Sequence, residues 1–139
     1  MLEDPCKLIV KVPCAIIEHE GLVLAGQRNP NISLGLKWEF PGGKLEDNET
    51  ELEALHREIL EELNVTITVH HHLPVTIRDD GHRDIWLIPF VCTLNSFDIA
   101  LTEHVQIRWL RPEELLESDL DWADADREVI RDYLRWLSE

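Results

Sequence analysis

Residues 43–65 read GKLEDNETELEALHREILEELNV, and the periodicity of this stretch decides the fold. From Thr50 onward the apolar positions Leu52, Leu55, Ile59 and Leu63 fall on one face of a helix. Thr50 and Glu53 stand in the spacing of a capping box, in which each side chain satisfies the other residue's backbone N–H. Asn64 tolerates the left-handed conformation that ends a helix, so the pattern predicts a helix between Thr50 and Asn64. Within it, Glu58, Glu61 and Glu62 lie three and four residues apart and converge on one stripe. Three like charges on a stripe repel, and they call for either open solvent or a compensating cation. Oxygen-only carboxylate clusters suit hard ions such as Mg²⁺ or Mn²⁺ rather than zinc. Taken alone, a Glu-rich helical face is usually just solvated surface.

On the N-terminal side, residues 8–17 and 22–25 are short runs of β-forming residues separated by Glu20-Gly21, which reads as a hairpin. Residues 27–35 are rich in Asn, Pro, Ser and Gly and mark a loop. A short extended piece, Trp38-Glu39-Phe40, then ends in the turn Pro41-Gly42-Gly43. On the C-terminal side, strand-like runs cover 65–69, 75–78, 85–94 and 105–110, with a turn at 79–82. A short helix opens at Pro112, and residues 126–137 are amphipathic through Val129, Ile130, Leu134 and Leu137. The trio His70-His71-His72 reads as a solvated strand end, because neighbouring strand residues point to opposite faces. Strands mixed with two or three helices imply an α/β or α+β sandwich, and 139 residues fit one domain spanning 1–139.

Thirteen Lys and Arg against twenty-eight Asp and Glu give a formal net charge of -15. Such a surface repels a polyanion, which argues against duplex nucleic acid as a partner. A small phosphate-bearing substrate stays compatible, because carboxylates can recruit divalent ions that reverse the local field. No apolar run reaches membrane-spanning length, and Met1-Leu2-Glu3-Asp4-Pro5 lacks the features of a signal peptide, so a cytoplasmic protein without a membrane partner is expected. Cys6, Cys14 and Cys92 form none of the close pairs that mark zinc or redox sites, and idle thiols are expected.

Gly43, Glu49, Arg57, Glu58, Glu61 and Glu62 stand in the register of the Nudix box, and the chain resembles the Nudix hydrolase superfamily on those residues. Average residue frequencies put a chance match at roughly one in a hundred thousand. One position departs: the family's glycine before the last aliphatic residue is Asn64 here. The resemblance implies an α/β/α sandwich with a mixed β-sheet, in which Glu58, Glu61 and Glu62 ligate Mg²⁺ or Mn²⁺. It implies that Glu49 and Arg57 pair to brace the loop against the helix. A carbonyl matching Gly42 would be a further ligand, although turn geometry alone also explains that glycine.

Beyond the box the chain is similar to the MutT-type branch, which hydrolyses nucleoside triphosphates to a monophosphate and pyrophosphate. That likeness makes Glu103 a fourth carboxylate at the centre, as metal ligand or general base, against a plain solvated loop glutamate. It makes Arg28 and Lys44 contacts to substrate, and Asp126 either a hydrogen-bond partner of the base or a helix N-cap. Trp38, Trp86, Trp109 and Trp122 read as core rather than stacking platforms. An oxidised purine such as 8-oxo-dGTP is the first expected substrate, implying a role in nucleotide-pool sanitation and DNA repair. CTP or a methylated dCTP is the alternative, as is a catalytically silent nucleotide-binding domain. The protein is expected to work as a monomer or homodimer.

Overall fold

The computed structural model describes residues 8–139, so Cys6 and the signal-peptide expectation at 1–5 lie outside the described residues. The first hairpin is β1 (Leu8–His19) and β2 (Leu22–Arg28), turning through Glu20 and Gly21, both with positive φ. The short β3 (Trp38–Glu39) follows, then α1 (Glu51–Leu63), β4 (Ile67–His72), β5 (Thr76–Asp79), β6 (Arg83–Leu94), β7 (His104–Leu110), a 3₁₀ turn (Pro112–Glu114) and α2 (Asp124–Leu137). The strands form one mixed sheet in which β1 runs parallel to β6 and the other pairs are antiparallel. Strand β1 is central and apolar without interruption from Pro13 to Ile17 because both of its faces are covered.

Cys14 and Ile16 pack with Val129, Ile130 and Tyr133 of α2, whereas Ala15 and Ile17 pack with Leu55, Ile59 and Leu63 of α1. The sheet therefore lies between two helices, the expected α/β/α sandwich. The capping box forms as its spacing predicts: Glu53 N–H donates to Thr50 Oγ1 at 3.1 Å and Thr50 N–H to Glu53 Oε1 at 3.0 Å. Asn64 closes the helix at φ 58 and ψ 32.

Three sequence expectations change. Leu52 is 45% exposed, because only Leu55, Ile59, Leu63 and Ala54 reach the sheet. The last helix begins at Asp124, two residues earlier than its apolar periodicity, because polar residues occupy its first turn. The trio His70-His71-His72 is the exposed end of β4, as expected, although a register shift between Val69 and His71 breaks the strand alternation and the rings of His71 and His72 stack at 5.6 Å. Trp38 and Trp122 are core, but Trp86 and Trp109 are only half-buried and pack at the margin of the α1-side cluster. Among the described residues no helix is long and apolar enough to cross a membrane.

Removing the cap hydroxyl in Thr50→Ala should lower stability by about 1 kcal/mol. Asn64→Gly should leave Tm unchanged or slightly higher, since glycine enters the left-handed region without steric cost. Thermal denaturation of the two variants checks both; a large loss of stability in Asn64→Gly would show that the asparagine side chain does more than end the helix.

Candidate active site

The site grows from the turn that follows β3. Ala15 N–H donates to Pro41 O at 2.8 Å and Gly43 N–H to Pro13 O at 3.2 Å, which fastens the turn onto β1. A Cβ on Gly42 would lie 2.1 Å from Pro13 O, and one on Gly43 would lie 2.4 Å from the Glu58 carboxyl carbon. Side chains at these two positions would push the turn off β1 or Glu58 out of its place. With the turn so held, Gly42 N–H donates to Glu62 Oε2 at 3.1 Å and Phe40 N–H to Asp126 Oδ1 at 3.0 Å. Two backbone amides two residues apart thus grip carboxylates from helices on opposite faces of the sheet.

Glu58 and Glu62 meet at this turn, and Glu103 joins them through a hydrogen bond with Glu62. Glu62 is 3% exposed, and burial, followed by the charges of Glu39, Glu103 and Glu58, pushes its carboxyl up to about 10. Burial also raises Glu58, opposed by Arg57. Glu61 is further out, with half its side chain exposed, and accepts from Arg57 Nη1 at 3.3 Å. Arg57 is the brace: Nε and Nη2 donate to the two oxygens of Glu49 at 2.7 and 2.9 Å, Nη1 donates to Glu58 at 2.9 Å, and Nη2 donates to Lys44 O at 3.1 Å. The Glu49 hydrogen bonds hold that carboxyl below its ordinary value and raise the guanidinium above its own.

Sequence reasoning missed two residues of the cluster, Glu39 and His104. Glu39 accepts from Arg28 Nη1 at 2.7 Å on Oε1, and its Oε2 lies 3.0 Å from His104 Nε2. Ligand atoms of Glu39, Glu62 and His104 all lie within 4.8 Å of one another. Glu39 carried a usable signal, a charged residue in a β-strand between Trp38 and Phe40, whereas His104 opens β7 beside Glu103 and carried none, and nothing in local periodicity says that positions 65 residues apart face each other.

The remaining expected residues fall as follows. Arg28 reaches the site through Glu39 and ties the preceding loop to it by donating from Nε to Ser33 O at 2.8 Å. The Lys44 side chain is exposed, and its carbonyl belongs to the Arg57 brace. Asp126 is not the N-cap, a place taken by Ala123 without a side-chain bond. It is 6% exposed in the first turn of α2, and burial, reinforced by the charge of Glu39, pushes its carboxyl up to about 8 against the Phe40 hydrogen bond. Gly42 contributes turn geometry together with an N–H donor.

The donor set fits a hard divalent cation. Glu58, Glu62 and Glu103 offer oxygen atoms, and a cation among them would offset the neighbouring charges that raise the Glu62 carboxyl. A buried carboxyl raised in this way binds its proton more tightly in the folded than in the unfolded chain. Its contribution to stability is therefore full below its ordinary pKa near 4.5 and is lost as pH rises toward 10. Asp126 acts in the same direction up to about 8. In EDTA, Tm should accordingly fall between pH 6 and pH 9, Mg²⁺ should raise it more at pH 9 than at pH 6, and Glu62→Gln should flatten both trends. A pH-independent Tm in EDTA would contradict this account of the carboxylates.

The chain matches the NUDIX domain family model over residues 7–133. It is 36% identical to a CTP pyrophosphohydrolase of Escherichia coli K12 over 121 residues, which cover 84% of this chain and 86% of that protein. It is 39% identical to an 8-oxo-dGTP diphosphatase of Proteus vulgaris over 90 residues, covering 65% and 80%. The solution structure of the E. coli ORF135 protein superposes with a TM-score of 0.82 at 30% identity, covering 95% of this chain and 93% of that one. The MutT protein of Methanosarcina mazei Go1 shares the fold with a TM-score of 0.86 at 24% identity, covering 96% and 98%. With the box braced by Arg57 and its glutamates gathered at the turn, the chain belongs to the NUDIX family.

Proposed function

We propose that this protein hydrolyses a nucleoside triphosphate to the monophosphate and pyrophosphate, with residues 1–139 acting as one catalytic unit. The observation that carries the reading is the gathering of Glu58, Glu62 and Glu103 at the Gly42–Gly43 turn, a concentration of negative charge that a triphosphate could approach only with divalent cations between. Glu58, Glu62 and Glu103 would hold Mg²⁺, with Glu61 and the Gly42 carbonyl at its margin. Such an ion supplies neutralisation of the phosphate oxygens and a water of lowered pKa.

The protein's own groups do the rest. Glu103, open to solvent yet bonded to Glu62, is the carboxylate placed to take a proton from the attacking water. That water forms a bond to an inner phosphorus while the anhydride bond to pyrophosphate breaks, and the pyrophosphate oxygen leaves with the bridging electron pair. Arg57 and Glu49 keep the helix and loop in register and touch no substrate. Lys44, exposed beside the turn, is free to reach an outer phosphate.

Base choice is assigned to the other end, at Asp126 with Arg28 near it. Asp126 Oδ1 is occupied by Phe40 N–H, which makes Oδ2 the atom that addresses a base. With its carboxyl pushed up to about 8, Asp126 is mostly protonated at neutral pH and can donate as well as accept, which suits an oxidised purine such as 8-oxo-dGTP. That substrate would place the enzyme in nucleotide-pool sanitation. The E. coli CTP pyrophosphohydrolase, the relative with the wider coverage, supports a second reading in which an ionised Asp126 accepts from the exocyclic amine of cytosine.

A panel of canonical and modified triphosphates with Mg²⁺, scored by kcat/KM and by pyrophosphate release, tests the activity and selects between these bases. Glu62→Gln should lower kcat by at least about a hundredfold in a folded protein; near wild-type turnover would sink the metal site. Asp126→Ala should change discrimination between bases by about 1 to 3 kcal/mol, roughly five- to 150-fold. An equal loss for all bases would return Asp126 to a structural role as the anchor of Phe40.

A further inference from the structure

Beside the oxygen donors of the proposed function lies a group of different chemistry. His104 is a buried imidazole whose side chain is 2% exposed. Its Nε2 lies 3.0 Å from Glu39 Oε2, and its Nδ1 is buried with no hydrogen-bond partner among the described residues. No second hydrogen bond therefore fixes the ring, and Nε2 is the nitrogen it turns toward the carboxylate of Glu39. The fold makes room for this ring: Gly26 on β2 sits beneath it, and a Cβ there would lie 2.7 Å from its Cδ2. Glu62, already crowded by negative neighbours, presents a carboxylate oxygen within 4.8 Å of ligand atoms of both His104 and Glu39.

We propose that Glu39, Glu62 and His104 form a second metal position, a one-nitrogen, two-carboxylate site that takes a divalent transition-metal ion such as Mn²⁺. Glu62 is common to this position and to the oxygen-only one. The two differ in chemistry: imidazole is a good ligand for first-row transition metals and a poor one for Mg²⁺, which prefers oxygen. Arg28 holds Glu39 Oε1, so Oε2 is the oxygen left toward the ion. Binding replaces the contact between Glu39 Oε2 and His104 Nε2 with two metal bonds, and the neutral imidazole then carries its proton on Nδ1. The inference does not depend on hydrolytic activity.

Electron spin-echo measurements on the whole protein loaded with Mn²⁺ test it. Wild type should show modulation from ¹⁴N that changes to the ¹⁵N pattern when the protein is made with ¹⁵N-histidine. His104→Gln should abolish it and weaken Mn²⁺ binding at least tenfold while changing Mg²⁺ binding less than twofold. Glu58→Gln, which alters only the oxygen donors, should keep it. Absence of nitrogen modulation in Mn²⁺-saturated wild type overturns the proposal without any variant having to fold. Its persistence in His104→Gln, or its loss in Glu58→Gln, overturns it equally. If instead nitrogen coupling is present and the triphosphate panel shows no turnover, the second metal position stands and the proposed hydrolysis fails.

Discussion

The contact between the Pro41–Gly43 turn and strand β1 is the constraint on which the rest of the site depends. It brings backbone to within hydrogen-bond distance of Pro13 and Ala15, a separation that leaves no room for a side chain on Gly42. Because the turn cannot move outward or inward, its amides become fixed donors, and they select where Glu62 and Asp126 must lie. Fixed donors matter electrostatically: they orient buried carboxylates whose charges would otherwise drive them apart. The central strand thus fixes, through one turn, a carboxylate from each of the two helices.

Much of this could be read from the chain because it was written in local patterns. The capping box, the Asn64 stop and the spacing of Glu58, Glu61 and Glu62 each depend on residues a few positions apart, where helical geometry is determinate. The Glu49–Arg57 pair was legible only through resemblance to a family, since eight intervening bonds of loop and helix carry no periodicity. The parallel pairing of β1 with β6 and the meeting of Glu39 with His104 were not legible at all. Both join segments more than 60 residues apart, and such contacts are chosen by tertiary packing rather than by local propensity. Asp126 shows the same limit from another direction. Its residue type favours a helix cap, but the nearby amide of Phe40 offers it a buried partner, and that wins over the local preference.

Electrostatic frustration runs through the cluster and gives it purpose. Glu39 is a neighbour of both Glu62 and Asp126, so its charge raises both carboxyls. Arg28 and Arg57 relieve the margins, each engaging carboxylates without reaching the buried centre. What remains uncompensated is concentrated at Glu62, where a cation does most to lower the energy. Strongly perturbed carboxyls of this kind are concentrated at functional sites.

Thr102 adds a mechanical consequence. Its N–H donates to Glu62 O at 3.2 Å and its hydroxyl to Glu61 O at 2.6 Å, while Ala100 N–H donates to Leu63 O at 3.0 Å. The segment leading to Glu103 is therefore laced to the carbonyl end of the helix that carries the other glutamates. Any sideways displacement of that helix must either carry the segment with it or break these hydrogen bonds. Deuterium should enter the amides of Ala100 and Thr102 at the pace of helix fraying, not at the faster pace of an ordinary surface loop.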